Sequence, residues 1–234
     1  MCPQKAYLKQ RLSMVLKLLE KHQGVKFWPG PSDALNSLML TLLSQNTTDK
    51  LRDKAYQQLR RRFPRWEQVL AAPVEQIEGA ICIAGLCRQK AARMQEILRW
   101  IQREFGGLSL AALNTMGDDE AMELLRSRQG IGVKTAAVVL MAALGRDLCP
   151  VDTHVHRIAG RLAWIAPNIS AEKAFELLRP HLPKGKSYSL HMNLLQFGRT
   201  ICQARKPLCG VCFLYDECQW GGKAGRKRVM AAEI

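Results

Sequence analysis

The sequence predicts an all-α protein, and three observations lead to this fold class. Apolar residues recur at helical spacing between Leu8 and Leu19. Residues 34–44, ALNSLMLTLLS, are almost wholly apolar and too long for an ordinary strand, which indicates a buried helix. Further along, Gly130 and Gly132 separate two more helical segments. The apolar fraction of 47% over 234 residues is enough to build a substantial core.

The charge balance is strongly basic. Lys and Arg outnumber Asp and Glu by 35 to 20, which gives a net charge of +15 and a pI near 9.8. Because the surplus is clustered, it indicates nucleic acid as the partner rather than general solubility. No window reaches the roughly twenty apolar residues of a membrane span, so no membrane contact is expected. The N-terminus lacks the apolar run of a secretion signal, and four scattered cysteines, Cys2, Cys82, Cys87 and Cys149, are expected to be reduced thiols of a cytosolic protein.

The apolar helix at 34–44 ends in a polar run, Gln45 to Asp49, after a boundary marked by the glycines and prolines of residues 24–33. Two interpretations of the run remain open. It is either a capping turn, with Thr48 or Asp49 starting a helix over 50–63, or a polar loop presented to a ligand. Arginines near the end of that helix, Arg60, Arg61, Arg62 and Arg65, are expected to form a solvated helix end.

A short helix from Pro73 and a basic helix over 88–104 are expected next, with Gly85 ending the first and Leu86 exposed in the turn. A helix then ends near Arg128, and an apolar helix starts after the glycine pair, which predicts a helix-hairpin-helix. The glycines allow the backbone to approach a partner, and amides at the new helix start suit a DNA phosphate. A glycine pair alone is also typical of a structural turn.

Lys134 falls in the first turn of the apolar helix. An ammonium group is unfavourable there because it faces the positive end of the helix dipole. The residue is therefore a phosphate binder, an amine with the lowered pKa that a nucleophile requires, or an ordinary exposed lysine, and its position alone favours the ordinary exposed lysine.

Asp152 is placed like the N-cap of a helix that runs to Leu162. A helix over 133–145 is about 20 Å long, and the seven residues 146–152 can span up to about 23 Å, so the chain can return Asp152 to the neighbourhood of Lys134. An amine and a carboxylate beside docked DNA suit attack on a sugar carbon.

His154 and His156 do not face together on a helix, so a metal site is not expected of them. They are interpreted as structural or DNA-contacting residues.

Helices over 170–182 and 187–200 lead into a run of four cysteines spaced C-x6-C-x2-C-x5-C, which are Cys202, Cys209, Cys212 and Cys218. Thiolates are soft ligands that suit zinc or an iron-sulfur cluster, and the long gaps favour the larger inorganic core. Disulfides would need an oxidising compartment. Arg205 and Lys206 lie between the first two cysteines.

Together these segments resemble the endonuclease III family of helix-hairpin-helix DNA glycosylases, from about Leu8 to Trp220. The resemblance is carried by LLSQNTTD at 42–49, IAGLCRQKA at 83–91, GIGVKTAAVVL at 130–140, VDTHVHR at 151–157 and the cysteine run. It implies two helical lobes with a DNA-binding cleft between them. Residues 1–30 and 148–222 would form a lobe with a [4Fe-4S] cluster loop, residues 31–147 a helical barrel with the hairpin, and residues 223–234 a basic tail.

The resemblance also implies roles for individual residues. Lys134 looks like the nucleophile that forms a Schiff base at C1′ of a damaged nucleotide, Asp152 like the assisting carboxylate, and the four cysteines like the cluster ligands. Leu86 and the 45–46 loop would fill the gap left by the extruded base. The residues expected to bind DNA are Gln45, Asn46, Leu86, Gly130, Gly132, Val133, His154, Arg205 and Lys206.

The expected function is a monomeric, bifunctional DNA glycosylase and apurinic/apyrimidinic lyase that removes oxidised pyrimidines from double-stranded DNA and acts on abasic sites. Its expected location is the nucleoid in the cytoplasm of a bacterium or archaeon. The family usually has Leu-Pro at the positions of Arg128-Gln129. It commonly has a basic residue at the position of Val133 and often a glutamine at the position of Asn46. These departures leave the alternatives of mismatched uracil or thymine and alkylated bases. A non-catalytic DNA-binding module held by zinc is a further alternative.

Overall fold

The structure is a computed structural model that describes the backbone of residues 3–221 and the side chains of residues 7–221. The expected tail at 223–234 lies outside the described residues. Within the described range every regular element is a helix or a 3-10 turn, so the predicted all-α fold is confirmed. None of the described helices is long and apolar enough to cross a bilayer.

The chain folds as two compact units. The second unit comprises Gly30–Leu144. Its helices are α2 (Ala34–Leu43), α3 (Asp49–Arg62), α4 (Trp66–Ala71), α5 (Val74–Ile81), α6 (Cys87–Phe105), α7 (Asp118–Arg126) and α8 (Val133–Leu144), with 3-10 turns at Cys82–Ala84 and Ala111–Asn114.

The core of the second unit is built around α2 and α8, which pack on each other. Seven of the ten residues of α2 and eight of the twelve residues of α8 are buried. The buried helix expected at 34–44 is therefore confirmed. It begins where it does because the side chain of Asp33 accepts a hydrogen bond from the backbone N–H of Asn36 at 2.6 Å.

The first unit comprises the residues up to Pro29 and those from Gly145 onwards. Its helices are α1 (Pro3–Gln23), α9 (Thr153–Arg161), α10 (Ala171–Leu178) and α11 (Ser187–Thr200), with 3-10 turns at Arg179–His181 and Cys209–Val211. Helix α11 packs on both α1 and α9. The apolar stripe expected on the N-terminal helix faces this core, where Leu12, Val15 and Leu19 are fully buried.

Three details differ from the predictions. The helix expected over 170–182 ends at Leu178, because Pro180 has no backbone N–H to continue it, and a 3-10 turn follows. Helix α4 was not predicted. The expectation of a solvated helix end is wrong for Arg60, whose guanidinium lies 4.3 Å from the ring centre of the buried Trp66. Arg61 and Arg62 are exposed.

Candidate functional site

The turn between α7 and α8 is a helix-hairpin-helix clamped from one side by α6. Gly130 has a φ of 92°, which residues with a side chain rarely adopt. A Cβ atom at Gly130 would lie 2.6 Å from Cδ of Arg93 on α6. The same arginine donates from Nη1 to the backbone oxygen of Gln129 at 3.0 Å. Ile131 is 3% exposed, whereas Gly130 and Gly132 are exposed, so the glycines form the outer surface of an anchored turn.

Arg128 stands at one of the positions where this chain departs from the family pattern. Its guanidinium lies 5.1 Å from the ring centre of Trp100 on α6. A cation over an aromatic face is attracted by the ring quadrupole. Arg128 therefore packs against its own unit and helps to hold the hairpin on α6.

Helix α8 starts at Val133, and the backbone N–H of Ala136 donates to the oxygen of Gly132 at 3.0 Å. Amides of the first helical turn have no acceptor within the helix, and a helix start of this kind suits an anion. The side chain of Val133 is 3% exposed, so the sequence-based expectation needs correction: a contact of Val133 with DNA must come from its backbone. Lys134 follows as the second residue of α8 and is half-buried.

Asp152 is the N-cap of α9, which confirms the capping prediction. Its Oδ1 accepts a hydrogen bond from the backbone N–H of Val155 at 2.8 Å. This bond uses one carboxylate oxygen and fixes the side chain at the helix start. Asp152 belongs to the first unit and Lys134 to the second, and their meeting stays a prediction.

The two histidines of α9 have different partners, as their spacing predicted. His156 Nε2 lies 2.7 Å from the backbone oxygen of Ile169, which makes this residue structural. His154 Nδ1 lies 3.0 Å from Arg157 Nη2. A Cβ atom at Gly198 would lie 2.8 Å from the same Nδ1 atom of His154. The DNA contact expected of His154 stays a prediction.

Two exposed loops of the second unit carry the residues expected to fill a gap in DNA. Leu86 is 52% exposed with a φ of 48°, and Asn46 is exposed with a φ of 52°. A side chain in this left-handed region costs roughly 1 kcal/mol per residue, so surrounding contacts must hold both turns. Gln45 is exposed, and Thr48 caps α3 by accepting from the N–H of Leu51, so the capping interpretation of the polar run is confirmed.

Lys90 links these two loops from inside the unit, and sequence reasoning missed it. Its Nζ donates at 2.9 Å to the backbone oxygen of Leu43, which ends α2, and at 2.9 Å to that of Ala84, two residues before Leu86. The side chain is almost fully buried, and burial lowers the pKa of Lys90. A signal existed in the sequence, because Lys90 shares a helix face with Met94 and Ile97 at i+4 and i+7.

The four cysteines of the first unit converge on one pocket. Its other lining residues are Arg161, Ile201, Pro207, Leu208, Tyr215 and Trp220. Burial first, and then the charge of the neighbouring cysteines, raise the pKa of Cys212 to about 11. A proton would therefore occupy this thiol at neutral pH unless a cationic centre took its place.

Two arginines of α9 hold the cysteine loop by its backbone. Arg161 Nη1 donates to Sγ of Cys202 at 3.2 Å and to the oxygen of Gln203 at 2.9 Å. Arg157 Nη2 donates to the oxygens of Gly198 and Cys202 at 3.0 and 2.9 Å. Burial raises the pKa of Cys202, whereas the guanidinium of Arg161 beside its sulfur favours the thiolate, so the residues fit an anionic cluster with cysteine ligands. Arg205 and Lys206 are exposed on the loop.

Comparison with known proteins identifies the family of this chain. Residues 39–184 match the HhH-GPD superfamily of base excision DNA repair proteins, and residues 202–218 match the iron-sulfur binding domain of endonuclease III. The chain belongs to the endonuclease III family. Endonuclease III of Thermotoga maritima is 32% identical over 198 residues, which are 85% of this chain and 88% of the relative.

Solved structures of the family show the same fold. A non-covalent endonuclease III–DNA complex has a TM-score of 0.79 at 28% identity, covering 94% of this chain and 99% of that one. A trapped endonuclease III–DNA covalent intermediate has a TM-score of 0.79 at 28% identity, covering 93% and 99%.

As a family member, the chain is a DNA glycosylase of base excision repair and carries a [4Fe-4S] cluster. The matched iron-sulfur segment starts at Cys202 and ends at Cys218. These findings replace the zinc and disulfide alternatives and the non-catalytic module. When bound, such a cluster ties its thiolate ligands to one inorganic core and so cross-links the loop that carries them.

Proposed function

We propose that this glycosylase is also an apurinic/apyrimidinic lyase, and that it removes oxidised pyrimidines from double-stranded DNA through a Schiff base at Lys134. The observation that carries the proposal is the position of this amine. Lys134 is the second residue of α8, and the exposed glycine turn ends two residues before it in the chain. A phosphate docked on the turn would therefore bring the sugar of a nearby nucleotide to the amine.

The chemistry follows from a primary amine at that place. Nζ of Lys134 attacks C1′, the bond from C1′ to the base breaks, and the base leaves with the bonding electrons and gains a proton. Ring opening gives an imine between Nζ and C1′, and loss of a C2′ proton then expels the 3′ phosphate by β-elimination. The endonuclease III relative that was trapped as a covalent intermediate with DNA supports a covalent route.

Asp152 has the second role in the proposal. Its position as a cap fixes the carboxylate, and a fixed negative charge stabilises the positive charge that develops on the sugar as the base departs.

Binding of the damaged strand is assigned to exposed groups. Gln45, Asn46 and Leu86 are proposed to fill the space left by the extruded base, since all three side chains are exposed at turns. The exposed backbone of Gly130 and Gly132, together with the N–H of Val133, is proposed to hold a phosphate. Further contacts are assigned to His154, Arg205 and Lys206.

Cys202, Cys209, Cys212 and Cys218 are proposed as the cluster ligands, because they line one pocket. The proposal further includes a monomeric enzyme whose substrate is duplex DNA with damaged bases or abasic sites. It also places the enzyme at the bacterial or archaeal nucleoid, and it keeps the lobes expected from the sequence, residues 1–30 with 148–222 and residues 31–147.

Borohydride trapping tests the role of Lys134, because the reagent reduces an imine to a stable amine. The wild-type protein should form a covalent complex with a duplex that contains an oxidised pyrimidine. Lys134→Gln should form none, with its unfolding free energy changed by no more than about 1 kcal/mol. Lys173→Gln, a change at an exposed lysine of α10, is the control and should trap like the wild type. Undiminished trapping by Lys134→Gln would overturn the Schiff-base assignment.

A second candidate keeps the chemistry and changes the lesion to mismatched uracil or thymine, or to an alkylated base. The observation that favours it is the exposed left-handed turn at Asn46, a position where the family often has glutamine. Initial rates on duplexes that each carry a single lesion separate the candidates, since the oxidised pyrimidine should be released fastest under the main proposal.

A further inference from the structure

Two cysteines that the proposed function does not use face each other beside Leu86. The Sγ atoms of Cys82 and Cys87 lie 3.2 Å apart. Cys82 is exposed and Cys87 is half-buried. Both belong to the second unit, whereas the iron-sulfur segment spans residues 202–218 of the first. The pair is therefore separate from the cluster.

The loop between the two thiols is tightly turned. Cys82 starts the 3-10 turn, Cys87 starts α6, and the chain between them reverses at Gly85, with a φ of 68°, and at Leu86, with a φ of 48°. Lys90 holds the backbone oxygen of Ala84. Thus the sulfurs meet across the base of a loop whose outermost side chain is Leu86, which is directly bonded to Cys87 in the chain.

We propose that Cys82 and Cys87 are a modification site: they form a reversible disulfide by exchange with a small-molecule disulfide such as oxidised glutathione, and this bond weakens insertion of Leu86 into DNA. The second part rests on the proposed function, because that function assigns Leu86 to the gap left by the flipped base.

The exchange needs no reactant other than the glutathione disulfide. The thiolate of Cys82 attacks one sulfur of glutathione disulfide, which forms a mixed disulfide and releases one glutathione thiolate. The thiolate of Cys87 then attacks the sulfur of Cys82 and releases the second. The protein loses two electrons and two protons, and the oxidant is reduced to two thiols.

Exposure indicates which thiol reacts first. The hydrogen bond with Cys82, followed by burial, raises the pKa of Cys87, and the carboxylate of Glu78, whose Oε1 lies 3.7 Å from Sγ of Cys87, acts in the same direction. The exposed Cys82 is therefore the thiol that meets the oxidant. The neighbouring Cys87 is placed to resolve the mixed disulfide, because its sulfur is already in contact.

Closing the bond must bring the two cysteine side chains at the ends of the loop closer together. A disulfide has a sulfur–sulfur distance of about 2.05 Å, so the two sulfurs must approach by roughly 1 Å. The loop has only four residues between the cysteines, and its turn at Leu86 depends on the first residue of α6. Leu86 is directly bonded to Cys87, so a shift at Cys87 is expected to move its side chain, and we expect DNA binding to weaken at least about tenfold, which corresponds to a loss of about 1.4 kcal/mol.

The test uses the full-length protein with its cluster, whose visible absorbance is followed throughout. The protein is equilibrated without oxygen in buffers of reduced and oxidised glutathione, and free thiols are alkylated and mapped by mass spectrometry. Cys82 and Cys87 should be protected together in oxidising buffer and released by dithiothreitol. The dissociation constant for a duplex with a stable abasic-site analogue should rise at least about tenfold on oxidation.

Two variants make the result specific. Cys82→Ser cannot form the disulfide, so its DNA affinity should match that of the reduced wild type in both buffers. Leu86→Ala should bind DNA more weakly than the reduced wild type, and oxidation should change its affinity little because the side chain that the bond displaces is gone.

Two outcomes would overturn the proposal. One is free Cys82 and Cys87 thiols in fully oxidised glutathione, and the other is a complete disulfide with unchanged DNA affinity. Neither readout needs catalysis. The two proposals can therefore fail separately. If the reduced protein showed no borohydride trapping but oxidation still weakened DNA binding, the proposed lyase would be contradicted and the proposed disulfide would stand.

Discussion

The hairpin with α8 and the cysteine loop are both short functional segments, but different forces hold them. In α8, eight of twelve residues are buried in the core of the second unit. In residues 202–220, by contrast, Pro207 and Leu214 are the only buried residues. The backbone of this loop instead receives hydrogen bonds from Arg157 and Arg161.

This difference separates two ways of holding the groups that are proposed to bind DNA. Apolar burial makes the hairpin a rigid part of the fold, so its glycines and the start of α8 are in place before any ligand arrives. The cysteine loop buries too little apolar surface to be fixed by packing alone. We therefore expect the loop to need its cluster, and the position of the exposed Arg205 and Lys206 to depend on that cluster.

Removal of one proposed cluster ligand should produce the largest difference in hydrogen exchange between the two regions. Cys212→Ser is expected to lose iron and sulfide, and hydrogen exchange should then rise in residues 202–220 and in α9, to which the loop is bonded. Exchange in α8 should stay near the wild-type level. Cys82→Ser, outside the iron-sulfur segment, is the control and should retain the cluster. Equal loss of protection in α8 would show that the two regions are not held independently.

A smaller effect is expected from a methyl group in the hairpin. Gly130→Ala places a side chain at a φ of 92° and against Arg93, so the unfolding free energy should fall by about 1–3 kcal/mol in urea titration. Gly132→Ala is the matched control, because a Cβ there meets no atom within 4 Å. Gly132→Ala should keep its stability and still bind DNA more weakly, since the methyl group blocks close approach of a phosphate. If the two variants were equally stable, the clamp by Arg93 would be refuted.

The smallest expected effect is the change with pH in the contribution of Lys90 to the unfolding free energy. Burial lowers the pKa of Lys90 below its ordinary value of 10.5, so the folded protein releases this proton at a lower pH than the unfolded chain does. Over the window between the folded pKa and 10.5 the unfolded chain binds more protons, and the contribution of Lys90 to stability rises with pH. Urea titrations from neutral pH to pH 10 should show this rise in the wild type relative to Lys90→Met. A falling difference would contradict the burial of the ammonium.

Features that depend on neighbours within one or two helical turns could be predicted from the sequence. The apolar runs gave α2 and α8, and the glycine pair gave the hairpin. Asp152 was found as a cap because a cap bonds to an amide three residues away. The cysteine run was found in the same way, since its ligand set is contained in seventeen consecutive residues.

Features that depend on distant segments, or on the path of the chain through a turn, could not be predicted. Nothing near Arg60 in the helical pattern shows that it stacks on Trp66, because the chain turns between them. The spacing of Lys90 on α6 indicated burial, but its acceptor at Leu43 lies 47 residues away. The contact of the thiols of Cys82 and Cys87 depends on the two left-handed residues between them.

The sequence by itself determined the helical fold class, the family, the hairpin, the cap at Asp152 and the cysteines, since hydrophobic spacing, caps and metal-ligand spacing are local properties of a chain. Only the tertiary structure decided that Arg93 lies under Gly130, that Lys90 joins two loops and that Arg157 and Arg161 hold the cysteine loop. These contacts connect segments that are far apart in the chain, and packing of the apolar faces, rather than any local rule, brings them together.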